Sequence, residues 1–204
     1  MTTVLDYLDA LADKVPAPGG GAVAAVHLAQ AAALVAMVAR YTTGPRFAEH
    51  QDLVTMICEH ADATRATALQ LMSADMAAFT GVIAAYKLPK TTKAEADLRT
   101  AAISAAATRA ATVPADVAEA AGEVVTLAEQ LLPVANSNVI SDVAAAADAA
   151  RAAATTARVN VEINLPSITD DGTRSALLSR IAGIDQLMSR ADGITEHVRK
   201  ALTA

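Results

Sequence analysis

Residues 22–39 read AVAAVHLAQAAALVAMVA. The stretch has no formal charge and alanine dominates it. It is about long enough to cross a bilayer. Membrane helices, however, are rich in Leu, Ile, Val and Phe, whereas this one is mostly Ala and carries His27 and Gln30. It therefore reads as the buried helix of a bundle. Composition agrees: 53% of the chain is hydrophobic but only 2% is aromatic, and Trp is absent. Alanine has the highest helix propensity and loses no side-chain entropy on folding, so a core made this way demands closely packed helices. A chain of 204 residues suits one such domain.

Outward from this helix, the N-terminal side breaks at Val15 to Gly21, where Pro16, Pro18 and three consecutive glycines interrupt any helix. Before the break, Thr2 to Lys14 is expected to be a short amphipathic helix with Leu5, Leu8 and Leu11 on one side. On the other side, Thr42-Thr43-Gly44-Pro45 ends the central helix near Tyr41. Leu53, Ile57, Ala61, Ala68, Leu71, Phe79, Val82 and Tyr86 then recur at helical spacing, predicting a long helix from about Pro45 to Tyr86. Thr92 and Glu95 form a T-x-x-E capping box for the next helix. Pro114 is expected to break or kink that helix, leaving Pro114 to Leu132 as another. A polar turn precedes a helix from about Asn138 to Leu165, which Ser137 or Asn138 is placed to cap. The last helix carries a seam of Leu177, Ile181, Ile184, Met188, Ala191, Ile194, Val198 and Leu202. The expectation is an all-α, single-domain antiparallel bundle of about seven helices, several of them long, spanning residues 1–204.

The net charge of −6 and the lack of Lys/Arg clusters argue against nucleic acid as a partner. One cysteine, Cys58, excludes an internal disulfide and fits a reducing compartment. With no leader pattern at the start, a cytoplasmic location is expected. No metal-ligand spacing occurs, and neither P-loop, Rossmann, kinase nor nucleophile-elbow motifs are found.

A few polar residues break the apolar pattern. Asp75 lies on the apolar stripe of its helix, between Leu71 and Phe79. Burying an unpaired carboxylate is costly, so an ion-pair partner or a ligand is expected there. Asn136, Asn138, Ser141 and Asp142 cluster at a helix start, where one cap suffices. Asp142 faces inward with Ala146, and the small alanines beside it are expected to leave room for a ligand, whereas Asp148 and Arg151 face water. Asn160 and Asn164 share that side but stand about 27 Å of helical rise away, too far for one small site with Asp142. Gly19, Gly20 and Gly21 open a helix whose free N–H groups suit an anion, although simple helix breaking explains them too. His27 with Gln30, and Cys58, read as packing residues.

Three stretches in order carry a resemblance. They are Val15-Pro16-Ala17-Pro18-Gly19-Gly20-Gly21 before the Ala-rich helix, Asp75 to Phe79 continuing to Lys90, and Asn136 to Asp142 followed by Asn160 to Leu165. Together they resemble the formiminotransferase-cyclodeaminase C-terminal domain family, which includes stand-alone methenyltetrahydrofolate cyclohydrolases. Ala22, His27, Gln30 and Ala135 depart from that family's usual pattern.

The resemblance implies an all-α homodimer that acts on a folate one-carbon unit, with a tetrahydrofolate derivative as substrate and neither metal nor redox cofactor. It implies Asp142 as principal acid/base or cation stabiliser and Asp75 as second carboxylate. Asn136, Asn138 and Ser141 would orient the pterin or a water. Lys87, Lys90 or the loop of Gly19, Gly20 and Gly21 would meet the glutamate tail. The expected activity is the cyclohydrolase, the chain showing no attached formiminotransferase domain. Formiminotetrahydrofolate cyclodeaminase is the alternative, and a non-catalytic folate-binding or scaffold protein is the alternative of another class.

Overall fold

The computed structural model describes residues 3–203. Among them the chain forms seven α-helices and no strand: α1 Val4–Ala12, α2 Gly20–Tyr41, α3 Gln51–Tyr86, α4 Lys93–Leu131, α5 Ile140–Glu162, α6 Asp171–Ile181 and α7 Ile184–Thr203. The expected helix start at Thr2 lies outside the described residues; α1 begins after Thr3, whose hydroxyl accepts the Asp6 N–H at 3.1 Å while Asp6 accepts the Thr3 N–H at 2.8 Å. The Thr92–Glu95 box caps α4 in the same reciprocal way.

The helices stack as a bundle around α2. Gly21 at the start of α2 meets Asp75 and Arg40 at its end pairs with Asp62, so α3 runs antiparallel to α2. Asn136 bonds to Thr42 at one end and Asn160 meets Gly20 at the other, so α5 is antiparallel to α2 as well. Arg180 reaches Glu119 and Arg190 reaches Glu129, which lays α6 and α7 alongside α4 in the same direction.

Alanine builds the centre. Ala24, Ala25, Ala31, Ala32 and Ala39 of α2 and Ala146, Ala150, Ala153, Ala154 and Ala157 of α5 are fully enclosed. Each buried methyl contributes about 0.8 kcal/mol, so stability here comes from number and close approach rather than from large side chains. Ala146, on the same side as Asp142, is among the alanines that pack helix against helix. By length and composition α2 and the Pro45–Tyr86 stretch could each cross a membrane. α2 instead packs against α3, α4 and α5, and α3 shows charged Glu59 and Arg65 on its open face.

Three boundaries differ from the sequence reading. Pro114 does not break α4, which continues from Lys93 to Leu131 with Pro114 buried inside it. A proline there has no N–H for the Ala110 carbonyl. That carbonyl is instead bonded by the side-chain amide of Asn164 at 3.3 Å, so the lost helical bond is replaced from α5's end. The last helix is divided into α6 and α7 around Ala182 and Gly183, where the helical bonding is interrupted. The seam stays in register across the break, with Leu177, Ile181, Ile184, Ala191, Ile194 and Val198 buried. Finally, α5 starts at Ile140 rather than Asn138, and Asn136 caps the 3-10 turn before it.

Candidate active site

The turn from Pro16 to Gly21 delivers the chain into α2 with Gly19 extended at φ −144° and no side chain capping the helix. The open N–H groups and the helix dipole there favour a negative charge. The chain supplies one itself. A Cβ built at Gly21 would stand 2.0 Å from Oδ1 of Asp75, so the carboxylate occupies the space a side chain would need. Gly21 is required by this approach and not by an unusual φ. The glycine turn thus receives Asp75 rather than standing free for a substrate anion.

Asp75 is half-buried. Burial pushes its carboxyl above the ordinary 3.8, and the Ala22 N–H pulls it the other way with smaller effect. No cation pairs with it among the described residues, so the structural ion pair is not what answers its burial.

The end of α5 completes the site. A Cβ at Gly20 would lie 3.2 Å from Nδ2 of Asn160. That Nδ2 donates to the Thr156 carbonyl at 2.8 Å, and Nδ2 of Asn164 donates to the Asn160 carbonyl at 2.8 Å as well as to Ala110. Carbonyl partners fix which way both amides point and leave each Oδ1 as an acceptor. Together with Asp75, Phe79, Ile163 and the Pro16–Ala17 turn, these groups enclose a cavity of about 250 Å³. Its polar side offers a carboxylate and amide oxygens, and its other side is apolar. Such a lining suits a flat, positively charged or N–H-bearing ring, and a raised carboxyl at its edge suits proton transfer.

Of the expected site residues, Asp75, Gly19, Gly20 and Gly21 share this cavity. Asp142 does not. It sits in the first turn of α5, eighteen residues before Asn160 and about 27 Å of rise away. An acidic residue there complements the helix dipole. Asn136 is tied into the fold: its N–H donates to Thr42 Oγ1 at 3.1 Å and its amide to the Tyr41 carbonyl at 2.8 Å, while its Oδ1 accepts from Arg46 and from the Asn138 N–H. It ties the α4–α5 turn to the end of α2. Asn138 and Ser141 are exposed beside it. Lys87 and Lys90 are exposed beyond the end of α3 and do not line the cavity. A larger groove of about 580 Å³ between α3 and α4, with His60 and Glu123, contains none of the expected residues.

Asn160 and Asn164 were legible as polar residues sharing a helix face with Asp142, too far along the helix for one small site with it and left as helix-end caps or as part of a site with another subunit. They belong with Asp75, a pairing that needs the antiparallel packing of α3 and α5 on α2. Half-buried Cys58 packs against the core as expected, while His27 is half-buried with its ring 3.4 Å from exposed Gln30.

Comparison with known proteins shows the family and the fold. The family described as formiminotransferase-cyclodeaminase matches residues 3–183. The chain is 34% identical over 197 residues to the methenyltetrahydrofolate cyclohydrolase of Methylorubrum extorquens, covering 96% of this chain and 93% of that one. It is 36% identical to the formimidoyltransferase-cyclodeaminase of Rattus norvegicus, where the match takes in 83% of this chain but 32% of the rat protein, about a third of its length. The crystal structure of formiminotetrahydrofolate cyclodeaminase from Thermotoga maritima superposes with a TM-score of 0.84 at 31% identity, over 96% of each chain. The chain belongs to the formiminotransferase-cyclodeaminase family.

Proposed function

We propose that this chain is a methenyltetrahydrofolate cyclohydrolase, adding water to 5,10-methenyltetrahydrofolate to give 10-formyltetrahydrofolate. One observation carries the choice of reaction: the similarity runs along 93% of a relative named for that activity alone. The cavity supports the chemistry. The substrate's methenyl carbon is the centre of an amidinium cation between N5 and N10. Ionised Asp75 lowers the energy of that cation and accepts a proton from the attacking water as the C–O bond forms. Protonated Asp75 then returns the proton to N5 as the C–N5 bond breaks. The hydroxyl proton leaves to solvent, and the formyl group stays on N10. Neither a metal nor a redox cofactor enters this balance. The amide oxygens of Asn160 and Asn164 hold the ring's N–H edge, and Phe79 supports its face. The volume takes a ring system and not a whole folate, so the glutamate tail runs outside. Lys87, about 12 Å of rise past Phe79, and Lys90 are the cations nearest that course along the chain.

A second reading keeps the same cavity. In formiminotetrahydrofolate cyclodeaminase chemistry, N10 attacks the formimino carbon and Asp75 protonates the departing ammonia. The Thermotoga maritima structure, a cyclodeaminase by its description, supports it. Turnover of the two folates by the purified chain, followed by absorbance of the methenyl form and corrected for spontaneous hydrolysis, separates the readings. The proposal expects faster methenyl loss than methenyl formation from the formimino compound; the reverse contradicts it, and turnover or binding of neither leaves a non-catalytic protein.

The chain also acts as a homodimer. α3 supports this, since its apolar window is only 11% buried and Leu69 and Phe79 stand out from it. Free Cys58 suits the reducing cytoplasm.

A further inference from the structure

The cavity at Asp75 has a closed end and an open one. Gly21 and Ala110 in its wall are buried, and Asp75, Asn160 and Asn164 are half-buried. The side chains of Pro16, Phe79 and Ile163 line the same cavity yet are exposed, Phe79 by 45% and Ile163 by 73%. They therefore form its mouth, with Phe79 on α3 and Ile163 capping the end of α5. Ile163 is the member that the fold does not explain. Nearly three quarters of it is open to solvent, so the core gains little from it. A single exposed isoleucine is ordinary on a protein surface. One that also walls a cavity is placed to meet what the cavity holds. The polar side chains Asp75, Asn160 and Asn164 lie deeper, so the side chains at the mouth are apolar.

We infer that Ile163 is a specificity-determining residue, its side chain packing on the p-aminobenzoyl ring of a bound folate and favouring folates over reduced pterins that lack that ring. The inference rests on the reading of the cavity as a folate site. A volume of about 250 Å³ takes the pterin and not the whole molecule. The reacting carbon joins N5 of the pterin to N10, and N10 carries the aryl ring. With Asp75 at the reacting carbon, the aryl ring starts two bonds from the chemistry and leaves by the mouth. Apolar surface is what an aromatic ring requires there, since its faces form no strong hydrogen bonds and gain by leaving water. The depth of the cavity then selects the pterin by its polar edge, and the mouth selects the group attached to it.

The test is titration calorimetry of Ile163→Ala and Ile163→Leu with two probes, tetrahydrofolate and 6-methyltetrahydropterin, which keeps the reduced ring and lacks the p-aminobenzoylglutamate. Exposure of Ile163 means that both variants fold, with the melting temperature of the wild type. Ile163→Ala is expected to weaken tetrahydrofolate about tenfold and to leave the pterin within about twofold. Ile163→Leu keeps the apolar area and is expected to bind tetrahydrofolate within about twofold of wild type. Unchanged tetrahydrofolate affinity in the alanine variant, equal weakening of both probes, or a leucine variant as weak as alanine overturns the inference and leaves the cyclohydrolase reading in place. A wild-type chain that binds no tetrahydrofolate overturns that reading, and the inference with it.

Discussion

One methyl group decides whether Asp75 keeps its position. At Gly21 it would overlap the carboxylate, at Gly20 it would press on the Asn160 amide at 3.2 Å, and at Gly19 it would meet nothing within 4 Å. Alanine substitutions are therefore expected to form a graded series. Gly21→Ala lowers kcat/KM by at least about a hundredfold by displacing the general base, Gly20→Ala has an intermediate effect, and Gly19→Ala stays active. Steady-state kinetics of the three purified variants checks the order; equal activities contradict it. Asp75 also sets a pH dependence. Its pKa is raised by burial, so the acid limb of kcat lies above the ordinary value of 3.8, and activity falls as pH drops through it. Stability changes the other way: the contribution of a protonated Asp75 is fully present below 3.8 and is lost as pH rises through the raised value. Asp75→Asn should consequently be more stable than wild type at pH 7 and show no such advantage at pH 3, as thermal melts at the two values will show. The sequence exposed Asp75 because a carboxylate on an apolar stripe violates a local rule. It did not expose the reason for Gly21, because that reason is a side chain 54 residues further along (21 to 75).

At the scale of elements, legibility depended on how local the cause was. The Thr92–Glu95 box sits within four residues and was readable; the continuity of α4 through Pro114 was not, because a side chain fifty residues later (114 to 164) replaces the missing bond. The seam of α6 and α7 was readable from its period, and that same period hid the break at Gly183. The Pro114 explanation has a consequence in stability. Asn164→Ala leaves the Ala110 carbonyl unpaired and is expected to cost about 1–3 kcal/mol. In a Pro114→Ala background residue 114 supplies its own N–H, so the same substitution should cost clearly less. Urea denaturation of the four proteins gives the coupling; strictly additive losses would contradict the explanation.

For the whole molecule, a bundle of antiparallel helices was readable because hydrophobic periods and short polar turns leave few other packings. The site was half readable. Asp75 and the glycines were named, while Asp142, weighted for its inward place at a polar helix start and for the resemblance, lies outside the cavity they share. Only the packing of α3 and α5 on either side of α2 shows that Asn160, and not Asp142, shares Asp75's cavity. The same packing leaves α3 largely uncovered, and sedimentation equilibrium should return the mass of two chains, with Leu69→Lys shifting it toward one; a monomeric wild type contradicts the dimer. The central claim is that chemistry occurs at Asp75. Cyclohydrolase turnover of Asp75→Asn and Asp142→Asn, measured side by side on folded protein, tests it most directly. The expected result is a loss of at least about a hundredfold for Asp75→Asn and a change within about threefold for Asp142→Asn; wild-type turnover by Asp75→Asn would contradict it.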